Sequence, residues 1–533
     1  MLNTAQLPDN VDALKTLLSA QSAQLNAFRQ ERAQWTVERE TLRQDKHDDQ
    51  QEIARLGLLL DKLRRMLFGQ KSEKLATQID QLQLELEERH INQGERAQRV
   101  ESAQPPASRS APQRRPLPEH LPREEHEHLP KEPACPDCGG AWQRLGEDVS
   151  EVLELIPARF RIVRHVRPRL ACRCCDRMAQ ASAPSRPIAR SFAGPGLLSH
   201  VMVSKYLDHQ PLYRQCQIYE REDVSLSEST VGDWVGGVHE LLRPLIDALR
   251  RHVFAAEKLH TDDTPIKVLA PGTGKTREAR LWVYARDDRP SGDTTAPAMW
   301  MRYSPDRRSI HPQTHLKDYT GILQADAFAG YNKVYESGRV LEAGCWAHAR
   351  RKFYDIHVKD ATPITTHVLQ TIVALYQIES GIRGSPPQVR QGARQEHAKP
   401  IVTGLYAWLR EQLPTVSRKS KTADAITYAL NQWQALTRYL DDGRIEIDNN
   451  AAERALRGVA LGRKNYLFLG SDAGGERAAT MYSLLGTAKL NDINPEAYLH
   501  HVLTVIADHP VNWIDELLPW NVAKQALLLE RAA

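Results

Sequence analysis

From Lys258 onward the apolar residues leave helical spacing and fall into short runs bounded by turn residues, which limits the chain more than any other feature. Leu259 to Leu269, Arg280 to Arg286 and Ala298 to Tyr303 read as strands, and Pro271, Gly272 and Gly274, then Pro290, Ser291 and Gly292, mark the turns between them. Three such strands predict an antiparallel meander. Ile322 to Ala325 and Val340 to Cys345 read as two further strands separated by a short helical segment, so the predicted sheet is five-stranded and mixed. From Ile364 to Leu440 the pattern is helical again, broken near Ser385-Pro386-Pro387, and reads as an inserted helical unit.

Two acids sit on this predicted sheet. Asp262 lies inside the first strand and Asp326 just past the fourth, while Glu453 falls inside a helix that Asp448 or Asn449 can cap. A single acid of this kind is usually a solvated surface residue. Set on strand, strand and helix, the three can converge on hard divalent cations, which take oxygen ligands. Two such ions about 4 Å apart can activate a nucleophilic oxygen and stabilise a leaving 3′ oxygen at a phosphodiester. Asp263 competes with Asp262; neighbouring strand residues point to opposite faces, so one of the two faces the ions. Arg454, Arg457, Arg463 and Lys464 follow Glu453 closely, as phosphate contacts would.

Two close cysteine groups precede the sheet: Cys135-Pro136-Asp137-Cys138-Gly139-Gly140 and Cys172-Arg173-Cys174-Cys175. Four thiolates satisfy tetrahedral Zn²⁺, and Cys135, Cys138, Cys172 and Cys175 are the expected ligands of a zinc-ribbon-like module, with Cys174 spare. Such a zinc is structural, because no position is left open for water. Between Arg159 and Arg177 lie Arg161, Arg164, Arg167, Arg169 and Arg173, with Asp176 the one acid. That strip suits DNA phosphates as well as it suits a solvated β surface. Cys345 and His348 repeat a Cys-x-x-His spacing without a partner pair. Cys345 is therefore read as ending a buried strand, with Arg350 and Arg351 touching DNA or pairing with acids. His260 is read as a structural histidine and Cys216 as core.

At the N-terminus, Val11 to Leu67 fits a heptad register without proline, which predicts a coiled coil and self-association. A Pro-, Gln-, Arg- and Ser-rich linker follows the helical segment at Leu75 to Leu86. Leu212 to Glu222, a turn at Asp223 to Leu226, and Ser229 to Val238 have the spacing of a helix-turn-helix, or equally of an ordinary packed helical pair.

Several of these segments together resemble the transposases of the insertion-sequence 66 family: Phe68-Gly69-Gln70-Lys71-Ser72-Glu73-Lys74-Leu75, Cys135-Pro136-Asp137-Cys138-Gly139, His209-Gln210-Pro211-Leu212-Tyr213-Arg214-Gln215, Asp262-Asp263-Thr264-Pro265, Asp326-Ala327-Phe328-Ala329-Gly330-Tyr331, Cys345 to Phe353, and Asp448-Asn449-Asn450-Ala451-Ala452-Glu453-Arg454. The likeness covers nearly the whole chain, with Asp262-Asp263-Thr264 where the family usually has Asp-Glu-Thr. It implies a ribonuclease-H-like catalytic domain with an Asp-Asp-Glu triad at Asp262, Asp326 and Glu453, loaded with Mg²⁺ or Mn²⁺. It further implies cleavage at the element's terminal inverted repeats, joining of the freed 3′ hydroxyl to target DNA, and accessory proteins encoded beside the gene.

The expected class is α+β multidomain: a coiled-coil region over 8–91, a linker over 92–131, a zinc module over 132–190, a helical DNA-binding region over 191–252, a catalytic domain over 253–490 with its helical insertion at about 360–442, and a C-terminal helical region over 491–533. The expected DNA contacts are Arg164, Arg167, Arg169, Arg350, Arg351, Arg454, Arg457, Arg463 and Lys464. A chain of 533 residues exceeds one compact core, and seven cysteines at this length do not suggest a disulfide scaffold. With no bilayer-length apolar run and no secretory signal, a bacterial cytoplasmic, nucleoid-associated location is expected. Two other classes fit the same residues: a nuclease that cuts without joining, and a catalytically inactive zinc-containing DNA-binding protein.

Overall fold

The computed structural model describes residues 121–129, 137–156, 159–465 and 468–524, together with Arg55, Leu117 and Glu119, without the side chains of 155, 156, 159, 463 and 464. The expected coiled coil, most of the linker, Cys135, and the side chains of Arg463 and Lys464 lie outside the described residues. What is described is mixed α+β, and no described helix is long and apolar enough to cross a membrane.

The first sheet contains β1 (Arg123–Glu127), β2 (Trp142–Ile156), β3 (Arg159–Cys172) and β4 (Met178–Gln180), in the order β1-β3-β2 with β4 also paired to β3. β2 and β3 form a long antiparallel ribbon from Trp142↔Cys172 to Ile156↔Arg159. At one end of this ribbon Leu153, Phe160 and Ile162 enter the main core. The other end carries the cysteines.

Three helices follow: α1 (Pro195–Tyr206), α2 (Leu212–Glu220) and α3 (Glu228–Phe254). Asp223 takes a left-handed conformation (φ 58°) in the turn before α3. The Ser227 hydroxyl accepts the Thr230 N–H at 3.1 Å and starts the helix, as N-cap serines do. α3 then runs 27 residues, far beyond the predicted Val238, because Val231, Trp234, Val235, Val238, Leu242, Leu245, Leu249 and Val253 keep one apolar stripe buried along its length. The pair is thus built around a core helix.

The second sheet has the order β7-β6-β5-β8-β9, from β5 (Lys258–Ala270), β6 (Lys275–Arg286), β7 (Ala298–Ser304), β8 (Gly321–Gln324) and β9 (Val340–Ala343). β5, β6 and β7 are antiparallel, and β8 and β9 add in parallel. Gly321 at the start of β8 has φ 139°, and a Cβ there would sit 2.4 Å from the Glu257 carbonyl oxygen, so only glycine fits this close approach.

α4 (Trp346–His357) follows the sheet. Then come α5 (Pro363–Ile382), α6 (Lys399–Gln412) and α7 (Lys421–Asn431), and the chain returns through α8 (Asn450–Asn465). Ile372, Leu375, Val402, Leu405, Leu409 and Ile426 of the intervening helices form a second core together with Ile322 of β8, Ala343 of β9 and Trp346 and Phe353 of α4. α9 (Asp472–Leu490) seals β7: Ser483 Oγ accepts the Met301 N–H at 2.7 Å and Thr487 Oγ1 accepts the Met299 N–H at 3.1 Å. An edge strand whose ladder groups are taken by a helix offers no template for a further strand. α10 (Pro495–Val505) packs on α1 and α9.

Candidate active site and zinc module

β5 and β8 run parallel with His260 opposite Gln324. Asp262 and Asp326 each lie two residues further on, and the ladder continues past β8 through the Ala325 N–H, which donates to Ala343 O at 3.1 Å. The two-residue period of strands gives Asp262 the side-chain direction of His260, whereas Asp326 follows the end of β8. That direction leads to the segment before α8. His260 Nδ1 is 3.0 Å from Asn449 Oδ1, and Gln324 Nε2 donates to Glu446 O at 2.6 Å. Glu453 stands in the first turn of α8, which packs on β5 and β6.

Burial, reinforced by the charges of Asp326, Asp263 and Glu453, pushes the Asp262 carboxyl up to about 7 against the pull of the Asp263 amide, which donates to its Oδ1 at 2.8 Å. Burial also raises Asp326, opposed by the nearby His348 and Arg307. His348 Nε2 lies 3.8 Å from Glu453 Oε1, so this imidazole stands close to the second and third acids. Among the described residues, the one group of three metal-ligand atoms within 4.8 Å of one another is on cysteines, and the three acids sit more widely than that.

Asp263 belongs to a different arrangement. Its side chain is 1% exposed and saturated by Arg307 Nε at 3.0 Å and Nη2 at 2.8 Å, and by Arg280 Nη1 at 3.1 Å. The Arg307 guanidinium also reaches within 4.0 Å of Asp326 and lies 4.0 Å over the Phe328 ring. Arg307 escaped sequence reasoning because nothing in Ser304-Pro305-Asp306-Arg307 marks it. His348 was visible only as half of an incomplete Cys-x-x-His pair. Its partner in that spacing, Cys345, is buried with its thiol pushed up to about 12, and accepts the Asn449 N–H at 3.2 Å.

A cavity of about 390 Å³ opens over Asp326, lined by Arg307, Phe328, His348, Arg351 and Lys352 among others. The Arg350 guanidinium lies 5.1 Å over the Tyr354 ring, and Arg454 Nη2 is 3.8 Å from Asp287 Oδ2. Arg457 is exposed. The arginines of β3 are compensated: Arg164 pairs with Glu125 at 2.8 Å, Arg169 with Asp148 at 2.5 Å, and Arg167 with the same Asp148 at 3.7 Å.

In the first sheet, the sulfurs of Cys138, Cys172 and Cys174 lie within 4.8 Å of one another, and Cys138 Sγ is 3.5 Å from Cys175 Sγ. The structure thus gathers Cys174 as well as Cys175. The Cys174 N–H points at Cys172 Sγ from 3.5 Å and, with Cys138, brings the Cys172 thiol down to about 6, favouring the thiolate that zinc binds. A Cβ on Gly140 would come within 3.0 Å of the Cys172 and Cys174 sulfurs, so glycine leaves room for the cluster. Soft donors packed this way fit Zn²⁺.

The chain matches the family model described as transposase IS66 family over residues 190–477. The zinc-finger binding domain of transposase IS66 matches over 132–176, the IS66 C-terminal element over 483–520, and the model described as transposase C of IS166 homeodomain over 55–125. Among curated proteins it is 41% identical to the uncharacterized protein y4hP of Sinorhizobium fredii over 88% of this chain and 89% of that one. It is 38% identical to the uncharacterized protein y4qI of the same organism, over 99% of this chain and all of that one.

Proposed function

Because the chain belongs to the IS66 family of transposases, we propose that it cuts element ends and joins them to target DNA with Asp262, Asp326 and Glu453 as its catalytic triad, on a sheet of ribonuclease-H-like design. The observation that carries this reading is the placement of Asp262 on β5 and of Asp326 just past the end of β8, its parallel neighbour, with the charges of Asp326 and Glu453 felt at Asp262. A carboxyl raised by burial and by three other carboxylates marks a site with more negative charge than its surroundings neutralise, and its hard oxygens fit Mg²⁺ or Mn²⁺. Bound there, divalent cations supply the Lewis acidity that activates the attacking oxygen and stabilises the leaving one.

Hydrolysis at the element end bonds a water oxygen to phosphorus and releases the 3′ oxygen; the resulting 3′ hydroxyl then attacks a target phosphodiester and displaces a target 3′ oxygen. Arg351 and Lys352 on α4, with Arg454 and Arg457 on α8, hold the phosphates that approach the acids. Arg307 and Arg280 occupy the Asp263 carboxylate oxygens, so that these do not compete for cations. The zinc module and α4 hold DNA, and the N-terminal heptads pair protomers so that two ends are joined together.

The test is cleavage and joining of element-end DNA with Mg²⁺ by Asp262→Ala, Asp326→Ala and Glu453→Ala. Each is expected to lose more than the roughly 100-fold that loss of an outer-shell partner costs, while still binding DNA. Retained activity in all three refutes the assignment, and cleavage without joining by the wild type marks a nuclease instead.

A further inference from the structure

The segment Arg444–Asn449 lies as a strap across β5, β8 and the turn into α4, held along its length by buried side chains and one backbone amide. Lys258 Nζ donates to Arg444 O at 2.9 Å, Gln324 Nε2 donates to Glu446 O at 2.6 Å, and the Trp346 N–H donates to Ile447 O at 3.0 Å. The last fastening is Asn449, which is wholly buried. Its Nδ2 donates to Thr261 O at 2.8 Å, which turns its Oδ1 toward His260 Nδ1 at 3.0 Å, so that Nδ1 carries the proton. The carbonyl of Asn449 also accepts the Ala452 N–H at 3.1 Å and the Glu453 N–H at 3.4 Å. One residue thus grips β5 immediately before Asp262 and holds the backbone of the helix turn that bears Glu453.

We propose that Asn449, fastened by His260, is the positioning residue that fixes the third acid against the first; the proposal rests on the triad reading above. A capping role needs only a short polar side chain turned toward the helix. Here the amide is turned away from α8 and spent on β5. Buried polar groups left unpaired cost stability, so the strap has one favourable seating where apolar packing would tolerate sliding.

The test is Mn²⁺ binding by calorimetry on the full, zinc-loaded chain, which needs no turnover. Asn449→Ala is expected to weaken Mn²⁺ binding about 10- to 100-fold, and to have no further effect in a Glu453→Ala background, since it acts through that acid. His260→Leu should reproduce the loss, and His260→Asn, which keeps a donor near Nδ1, should recover affinity relative to His260→Leu; this pair decides the matter if Asn449→Ala does not fold. Unchanged Mn²⁺ binding in Asn449→Ala, or a loss of equal size with and without Glu453, overturns the proposal. If Asp262→Ala and Glu453→Ala themselves leave Mn²⁺ binding unchanged, the triad reading falls and the positioning role falls with it.

Discussion

Arg307 grips Asp263 through both Nε and Nη2 at 2.8–3.0 Å, although 44 residues separate them in the chain. Asp263 is therefore committed to an ion pair, while the carboxylate of its neighbour Asp262 accepts the Asp263 amide N–H at 2.8 Å and pairs with no arginine among the described residues. The two adjacent acids should fail differently. Asp263→Ala leaves Arg280 and Arg307 without their shared carboxylate and should cost about 1–3 kcal/mol of folding stability. Asp262→Asn should fold at least as well as the wild type and lose divalent-cation binding. Urea denaturation alongside Mn²⁺ titration separates them, and the reverse pattern would make Asp263 the ligand.

Burial pushes the Asp262 carboxyl up to about 7 in the folded chain, from an ordinary value of 3.8. Between these values the folded state keeps a proton that the unfolded state has lost, so this group's contribution to stability falls as pH rises through that window. Without divalent cations, Asp262→Asn should therefore gain more over the wild type at pH 8 than at pH 5, by at least roughly 2–4 °C in melting temperature. Added Mg²⁺ should stabilise the wild type more at pH 8 than at pH 5. A gain for Asp262→Asn that is larger at pH 5 would contradict the charge crowding described.

Cys138 stands within 3.2 Å of Cys172, sulfur to sulfur. Purified protein should carry about one zinc per chain, and Cys138→Ser or Cys172→Ser should release it, since four-coordinate structural sites lose much of their affinity with one ligand gone. Elemental analysis after dialysis reads the outcome; full zinc retention in both variants would place the metal elsewhere.

Within the helical insertion, Glu379 accepts from Arg394 Nε and Nη2, both at 2.7 Å, and from Arg390 Nη2 at 3.3 Å, while Arg390 Nη1 reaches Glu446 at 2.8 Å. Both arginines are almost wholly buried. Glu379→Ala should cost about 3–5 kcal/mol, because two guanidinium groups lose their common carboxylate in a dry interior. Chemical denaturation checks this, and a loss below about 1 kcal/mol would show that water reaches the pair.

The strands of the second sheet were legible because their apolar runs are short and bounded by Pro and Gly: the predicted runs at Leu259, Arg280, Ala298, Ile322 and Val340 fall on β5 to β9. Partnerships between distant residues were not. The β3 arginines looked like a free basic strip because the acids that pair with them come from β1 and β2, between 19 and 39 residues away. Asn449 looked like a cap because a local motif cannot show that its amide is spent on Thr261 and His260, almost 190 residues earlier. Asp262 could be placed inside a strand and Asp326 just past one from sequence, but that these two strands are parallel neighbours is visible only in the pairing of β5 with β8.

The most direct measurement is the anomalous signal of Mn²⁺ in crystals of the full chain. The triad assignment predicts manganese within about 2.1 Å of carboxylate oxygens from Asp262, Asp326 and Glu453 together. Manganese bound elsewhere, with the three acids still apart and unligated at saturating concentration, would contradict it.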